Sequence, residues 1–152
     1  LMRYLLYATK KRKQDLTKEI ECIQNYIDLE RIRFDDSLKI DMNISGDLDK
    51  CKIAPMLLIP LVENCFKHGA SKNIGKMYIA IDLEVSNDFM IFKIANTIPN
   101  AKTSRDLQTR SGGIGLSNVK KRLELGYKPT DYDLTIFEED NMFNVLLKLK
   151  VI

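Results

Sequence analysis

The sequence is poor in the features that mark disulfide-rich or membrane-spanning proteins. Its three cysteines, Cys22, Cys51 and Cys65, are odd in number and lack C-x-x-C spacing, which favours reduced structural thiols in the cytosol over a disulfide framework. No apolar run approaches the length that crosses a bilayer, and no signal peptide is visible. The formal charge of +3 is too small to indicate a nucleic-acid-binding protein.

What the sequence does contain is typical of a folded globular domain. Of its 152 residues, 45% are hydrophobic and 30% are charged, which predicts one domain with a buried core and a short helical appendage. Two basic clusters, residues 10–13 and 120–122, are typical of solvated faces. Because the chain begins with Leu1 inside a segment of helical pattern, we expect it to be a fragment of a longer protein.

Hydrophobic periodicity predicts a mixture of helices and strands. Apolar spacings of three and four residues predict helices at residues 1–10, from Asp15 or Thr17 to Phe34, across residues 60–69, and from Leu116 to Gly126. Strict alternation predicts strands at residues 38–44, 77–85, 89–96, 132–138 and 143–151, with turns at residues 46–47, 86–88 and 140–141. The pattern indicates an antiparallel or mixed sheet with helices on one face, an α/β sandwich.

Two prolines and one long polar segment complete this pattern. Pro55 suits the first turn of the third predicted helix, whereas Pro60 either kinks that helix or marks its effective start. Residues 97–113 are polar and too long for a plain connector, which is typical of a lid over a binding site.

The segment PLVENCFKHG, residues 60–69, carries the densest polar chemistry. Helical spacing places Asn64, Lys67 and His68, the only histidine of the chain, on or beside one face. Such polar groups cost desolvation free energy if they are buried without partners. They fit a polar ligand better, and Asn64 with Glu63 supplies the oxygen ligands that Mg²⁺ takes.

A second segment, SGGIGLSNVKKRL at residues 111–123, places glycines directly before an amphipathic helix. Three glycines, Gly112, Gly113 and Gly115, free the backbone to approach a phosphate group, ahead of a helix N-terminus whose dipole attracts anions. Asn118 can add a contact from the first turn, whereas Arg122 is either a further charge at the site or a surface residue. A lone G-x-G is more often only a turn, but this one follows a polar segment and opens a helix.

The two segments together resemble the N box and the glycine-rich G2 box of LytS-type sensor histidine kinases, relatives of type II topoisomerases and Hsp90. Their order and their separation of about fifty residues are far more specific than either segment alone. The resemblance covers nearly the whole chain and implies a Bergerat-type ATP-binding fold, a two-layer α/β sandwich with a mixed, mostly antiparallel sheet. It also implies that residues 1–35 end the dimerisation and connector helices and that residues 36–152 form the ATP-binding catalytic domain.

The resemblance also implies roles for individual residues. Asn64 corresponds to a ligand of the Mg²⁺ that bridges ATP phosphates, and Glu63 beside it to a residue that orients the metal's water or polarises the nucleophile. Lys67 corresponds to a phosphate contact, and His68 to a pocket-lining group, since the family's phosphoacceptor histidine lies in a separate upstream helix. A buried amide, a surface carboxylate and a solvated lysine remain the ordinary alternatives. Further nucleotide contacts are implied at Gly113, Gly115, Leu116 and Asn118.

The sequence departs from the family pattern at Asn96 and Pro60. Related kinases carry a D-x-G-x-G box whose aspartate accepts a hydrogen bond from the adenine amino group, and Asn96 stands in the place of that aspartate. An amide oxygen can accept the same bond without the negative charge, so we expect reduced adenine affinity. Pro60 stands one turn before Asn64, where many relatives have a polar group.

The implied function is the ATP-binding catalytic domain of a two-component sensor histidine kinase, which positions Mg-ATP for attack by a histidine that this fragment lacks. The implied partners are ATP, the dimerisation-domain histidine, a response regulator of the LytTR type and a second protomer that binds through the N-terminal helices. The parent is expected to be membrane-bound, with this domain in the cytoplasm.

The alternative is a non-catalytic dimeric signalling module whose nucleotide binding is eroded at Asn96. In that case an apolar stripe on the helix that precedes residue 35 makes contacts across the dimer, whereas otherwise it packs within the domain. The stripe consists of Leu16, Ile20, Ile23 and Ile27.

Overall fold

The computed structural model describes residues 13–68, 76–98 and 114–152, without the side chains of Asp35, His68 and Ile114. These ranges contain the α-helices α1 (Leu16–Phe34), α2 (Ile59–His68) and α3 (Ile114–Gly126). They also contain short 3₁₀ helices at Asp35–Ser37 and Pro129–Asp131. Their strands are β1 (Gln14–Asp15), β2 (Leu38–Ser45), β3 (Lys52–Ile53), β4 (Met77–Ser86), β5 (Phe89–Thr97), β6 (Tyr132–Glu139) and β7 (Met142–Lys150).

The main sheet has five strands in the order β2-β4-β5-β7-β6. Strand β2 runs parallel to β4, and the other neighbouring pairs are antiparallel. The hairpins β4–β5 and β6–β7 turn at Asn87-Asp88 and Asp140-Asn141, where all four residues have positive φ between 50° and 71°. Turns of this kind match the right-handed twist of the flanking strands, which accounts for the predicted turn positions.

One face of the sheet is apolar because side chains alternate along its strands. In β5, Met90, Phe92 and Ile94 are buried, whereas Ile91 and Lys93 are exposed on the opposite face. The buried side chains form one hydrophobic core with residues of the three helices. The architecture is therefore the predicted two-layer sandwich, with a mostly antiparallel sheet covered on one face by helices.

Helix α1 packs within this domain. Its side chains Leu16, Ile20, Ile23 and Ile27 are buried in the common core, which decides for packing within the domain over contacts across a dimer. The C-terminal residue of the helix also makes an aromatic contact, since the ring centroid of Phe34 lies 6.0 Å from that of Phe66 on α2. The division of the chain at residues 35 and 36 stays a prediction.

A second, two-stranded sheet ties the start of α1 to the end of the chain. Strand β1 pairs antiparallel with β3, and the backbone N–H of Lys52 donates to the oxygen of Val151 at 2.7 Å. The side chain of Lys52 also forms an ion pair with Asp15, which lowers the pKa of that carboxyl through their hydrogen bond. Asp15, the residue before α1, is therefore held by β3, the strand that precedes α2.

The predicted elements inside the described residues are confirmed to within a few positions. The interpretation of Pro55 is wrong, because α2 begins only at Ile59 and Pro55 lies in the loop before it, whereas Pro60 does lie in the first turn. The predicted helix at residues 1–10 and the lid beyond Ile98 lie outside the described residues. Among the helices that the structure describes, none combines the length and the apolar character needed to cross a membrane.

Candidate functional site

Helix α2 carries the polar row predicted from the sequence. Its first turn tolerates Pro60 because the N–H that proline lacks would have no partner inside the helix. Four apolar side chains anchor the helix in the core, namely Leu61, Val62, Cys65 and Phe66. Asn64 is 8% exposed, and Lys67 is exposed near the end of the helix. The helix thus holds Asn64 rigidly beside the core and Lys67 toward solvent.

Glu63 is half-buried on α2 and lies near Tyr26 of α1. Burial raises the pKa of Tyr26 to about 12, and the negative charges of Glu30 and Glu63 contribute to the rise. The Tyr26 ring packs edge-on against Phe66, with 5.5 Å between the ring centroids. Glu63 therefore lies close enough to α1 for its charge to act on Tyr26, and its catalytic role stays a prediction.

Asn96 lies near the end of β5 on the helix-covered face of the sheet, in line with Met90, Phe92 and Ile94. It is only 2% exposed. Its Nδ2 donates to the backbone oxygen of Thr97 at 3.1 Å, while its Oδ1 is buried with no donor among the described residues. A buried acceptor without a donor costs free energy on the order of 1–3 kcal/mol, which a ligand's N–H group can recover. A donor such as an adenine amino group would satisfy this acceptor, and the adenine contact stays a prediction.

Helix α3 begins at the glycine-rich segment and packs against α2. A Cβ atom added at Gly115 would lie 3.7 Å from the backbone oxygen of Pro60, so the first turns of the two helices are neighbours. Leu116 is fully buried, which leaves its backbone as the part that can face a ligand, and Asn118 is half-buried. The N–H groups in the first turn of α3 have no partner inside the helix and suit an anion.

The fold brings most of the predicted site residues into one region. Helix α2 contacts both β5 and α3, so the helix that carries Asn64 touches the elements that carry Asn96 and Gly115. Gly113 and the side chain of His68 lie outside the described residues. The described residues contain no group of three or more His, Cys, Asp or Glu side chains that could hold a metal. The amide oxygen of Asn64 is of the ligand type that Mg²⁺ takes, and its role as a metal ligand stays a prediction.

Sequence reasoning missed three residues that hold the loop before α2, residues 54–58. Glu19 of α1 is fully buried, and its two carboxylate oxygens accept the N–H groups of Met56 at 2.9 Å and Leu58 at 2.8 Å. Arg122 of α3, also buried, donates to the oxygen of Met56 at 2.6 Å and to the oxygen of Pro55. The hydroxyl of Tyr127 accepts the N–H of Ala54 at 3.0 Å.

The loop needs this support because its backbone is strained. Met56 has φ of 60°, in the left-handed region that residues other than glycine rarely adopt. Such a conformation costs on the order of 1 kcal/mol and persists where the surroundings determine it. Both the N–H and the oxygen of Met56 are bound, by Glu19 and Arg122 respectively.

The sequence does contain a signal for the buried positions of Glu19 and Arg122, namely their place in the helical pattern. Glu19 lies three residues after Leu16 and four before Ile23, within the buried stripe of α1, and Arg122 lies three residues after Val119 in α3. A charged residue within an apolar stripe has to find a buried partner. Burial raises the pKa of Glu19, and the N–H groups of Leu58 and Met56 counteract part of the rise. The expectation that Arg122 is a surface residue is wrong because its side chain is buried, and its role as a charge at the site stays a prediction.

Comparison with family models supports the resemblance. The model of the GHKL domain matches residues 54–150, and the histidine kinase model matches residues 1–38. The sensor histidine kinase BtsS of Escherichia coli is 28% identical over 135 residues, which cover 88% of this chain and 23% of that protein. The sensor protein LytS of Oceanobacillus iheyensis is 29% identical over 118 residues, which cover 71% of this chain and 20% of that protein. The chain thus spans less than a quarter of these relatives.

Solved structures of histidine kinases share the fold. The catalytic domain of histidine kinase ThkA superposes with a TM-score of 0.66 at 14% identity, over 92% of this chain and 95% of that one. ThkA in complex with the response regulator TrrA superposes with a TM-score of 0.62 at 16% identity, over 99% of this chain and 46% of that one. The sequence matches and the fold agree, and the chain therefore belongs to the GHKL domain family, in the form represented by sensor histidine kinases.

Proposed function

We propose that this chain is the ATP-binding catalytic domain of a two-component sensor histidine kinase. The observation that carries the proposal is the buried Oδ1 of Asn96, an acceptor without a donor among the described residues on the helix-covered face of the sheet. An adenine amino group supplies the missing donor. The family assignment and the adjoining α2 and α3 support the same site.

Different residues of the chain would contact different parts of the nucleotide. Asn96 binds the adenine, Asn64 provides an amide oxygen for Mg²⁺, and Lys67 offers a mobile cation to the phosphates. Backbone and side-chain donors around the glycine-rich segment come from Gly113, Gly115, Leu116 and Asn118. His68 lines the pocket. When bound, Mg²⁺ supplies neutralisation of phosphate charge. Glu63 orients the metal's water or polarises the nucleophile.

The phosphoryl acceptor in this proposal is a histidine of the dimerisation domain, outside this chain. Positioning and charge stabilisation provide most of the rate enhancement in such transfers. The phosphoryl group then passes to a response regulator, of the LytTR type, and the parent is a membrane-bound homodimer with this domain in the cytoplasm. BtsS and LytS are sensor proteins, and ThkA forms a complex with a response regulator, which supports the step to a response regulator in this proposal.

A second candidate is a non-catalytic signalling module that has lost nucleotide affinity. It is favoured by one observation, the neutral amide of Asn96 where related kinases carry a charged aspartate. The two candidates differ in a single measurable property, because only the first requires saturable binding of Mg-ATP by the chain.

Calorimetric titration with a non-hydrolysable ATP analogue, with and without Mg²⁺, tests the proposal. We expect saturable, Mg²⁺-dependent binding that Asn64→Ala abolishes. The control is Asn43→Ala, because Asn43 is an exposed asparagine of β2 that bonds Asp82 at 3.2 Å, outside the proposed site. If the folded chain does not bind at millimolar nucleotide, the signalling module is the better interpretation.

A further inference from the structure

We propose that Glu19 and Arg122 are positioning residues for the nucleotide site. They hold the loop at residues 54–58 and thereby set where helix α2 presents Asn64. The inference rests on the function proposed above, in which Asn64 meets Mg-ATP. It goes further by assigning a role in nucleotide binding to two residues that touch no nucleotide themselves.

Glu19 binds Leu58, the residue that caps the N-terminus of α2. The oxygen of Leu58 accepts the N–H groups of Leu61 at 3.0 Å and Val62 at 3.3 Å, so Leu58 is the residue that caps α2. The N–H of that same residue donates to Glu19 Oε2, while Oε1 accepts from Met56 and from Gln14 Nε2 at 3.0 Å. A buried carboxylate at this point also interacts favourably with the positive end of the helix dipole.

Arg122 holds the same loop from the opposite helix. Its guanidinium donates to the backbone oxygens of Pro55 and Met56, whereas Glu19 binds N–H groups of the same loop. Two nitrogen atoms of one planar group bind two consecutive oxygens, which fixes the orientation of the loop as well as its distance from α3. The loop is therefore bound by α1 through its N–H groups and by α3 through its oxygens.

These contacts control Asn64 because a short helix moves as a rigid body. Asn64 lies less than two turns from Leu58, so a tilt at the cap displaces its side chain. Displacements of about 1 Å at a binding group are sufficient to weaken its interactions strongly. Since Glu19 belongs to α1, the position of α1 in the core and the position of Asn64 are coupled through this carboxylate.

The experiment compares Glu19→Gln with Glu30→Gln in the 152-residue chain. Both residues are buried glutamates of α1, but Glu30 bonds Arg33 of its own helix at 3.3 Å instead of the loop. Glutamine keeps the size of Glu19 and replaces one acceptor oxygen with a donor, so one loop N–H loses its partner. For each variant, amide hydrogen exchange is measured without nucleotide, and the affinity for a non-hydrolysable ATP analogue with Mg²⁺ is measured by calorimetry.

We expect Glu19→Gln to accelerate amide exchange at residues 56–64, to leave β4 and β5 protected, and to weaken nucleotide binding about tenfold. Glu30→Gln is expected to change neither property. If Glu19→Gln does not fold, Arg122→Lys carries the same test, because lysine offers one nitrogen where arginine offers two. Exchange at α2 that matches the wild type, or an affinity loss without local exchange, overturns the proposal.

The two proposals can fail separately. If the wild-type chain binds no nucleotide, the proposed function is wrong, and the exchange data alone then decide whether Glu19 positions α2. Acceleration confined to residues 56–64 supports the positioning role in that case, and unchanged exchange refutes it.

Discussion

The guanidinium of Arg122 donates a hydrogen bond to the backbone oxygen of Met56 across 2.6 Å, although 66 positions separate the two residues in the sequence. The contact joins α3 to the loop at residues 54–58, which leads into α2. Helices α2 and α3 include parts of the two segments that carry the family resemblance, and their relative position is thus supported by a buried polar contact as well as by the hydrophobic core.

The acceptor at position 96 sets the adenine affinity in the proposed site. We expect Asn96→Asp to tighten binding of the ATP analogue by roughly threefold to tenfold, because a charged acceptor forms the stronger hydrogen bond. The matched control is Asn144→Asp. Asn144 is a buried asparagine of β7 whose Nδ2 likewise donates to a backbone oxygen, that of Met142, at 3.0 Å on the opposite face of the sheet. Equal calorimetric affinities for Asn96→Asp and the wild type would argue against adenine binding here.

The apolar face of α1 contributes to the stability of the domain. Ile23 is fully buried, so we expect Ile23→Ala to lower the free energy of unfolding by about 3 kcal/mol through lost burial and a residual cavity. Ile32 of the same helix is 79% exposed, and Ile32→Ala should change that free energy by no more than about 0.5 kcal/mol. Urea denaturation measures both values, and a small effect of Ile23→Ala would mean that α1 is not part of the folded core in solution.

The ionisation of Glu19 makes stability depend on pH. Burial raises the pKa of Glu19 in the folded chain above its ordinary value of 4.5, so the folded state binds more protons than the unfolded state between those two values. The contribution of this group to stability is therefore greatest below the ordinary pKa and is lost as the pH rises through the folded pKa. We expect the free energy of unfolding of the wild type, minus that of Glu19→Gln, to fall over this window.

The measurement is urea denaturation of both proteins at several pH values from about 4 upward. Taking the difference removes the titration of the other carboxyl groups, which both proteins share. A difference that rises with pH would show that the hydrogen bonds from Met56 and Leu58 outweigh the desolvation of the carboxylate.

The three cysteines should differ in reactivity toward a thiol reagent. Cys22 is exposed, whereas Cys51 and Cys65 are buried, and burial raises the pKa of Cys65 to about 12. In the native chain we expect Cys22 to react first, with a rate that increases with pH because burial and the nearby Glu19 and Glu21 raise the pKa of its thiol. Mass spectrometry identifies the labelled residue. Labelling in denaturant provides the reference extent of labelling when all three thiols are accessible. Rapid native labelling of Cys65 would contradict the buried position of α2.

Local patterns in the sequence were sufficient for most of the fold. The alternation in residues 77–97 and the turn residues Asn87 and Asp88 specify a hairpin because the pleat places alternate side chains on opposite faces. The same periodicity could not show that the stripe of α1 packs inside the domain, since a helix buries an apolar face equally well against its own core or a partner. Residues Asn64 and Asn96 could be selected only because motif spacing and family resemblance supplied a ligand.

The elements, the class of fold and the two segments that mark the family can be predicted from the sequence, because periodicity, turn chemistry and motif spacing are local properties. That Glu19 and Arg122 meet at the loop before α2 became visible in the folded chain. A buried charge requires a partner, but nothing in the neighbouring residues specifies which one, since the N–H and oxygen groups that satisfy these two side chains come from a loop that is distant in sequence. Such partners follow from how the helices pack, which is a property of the whole chain.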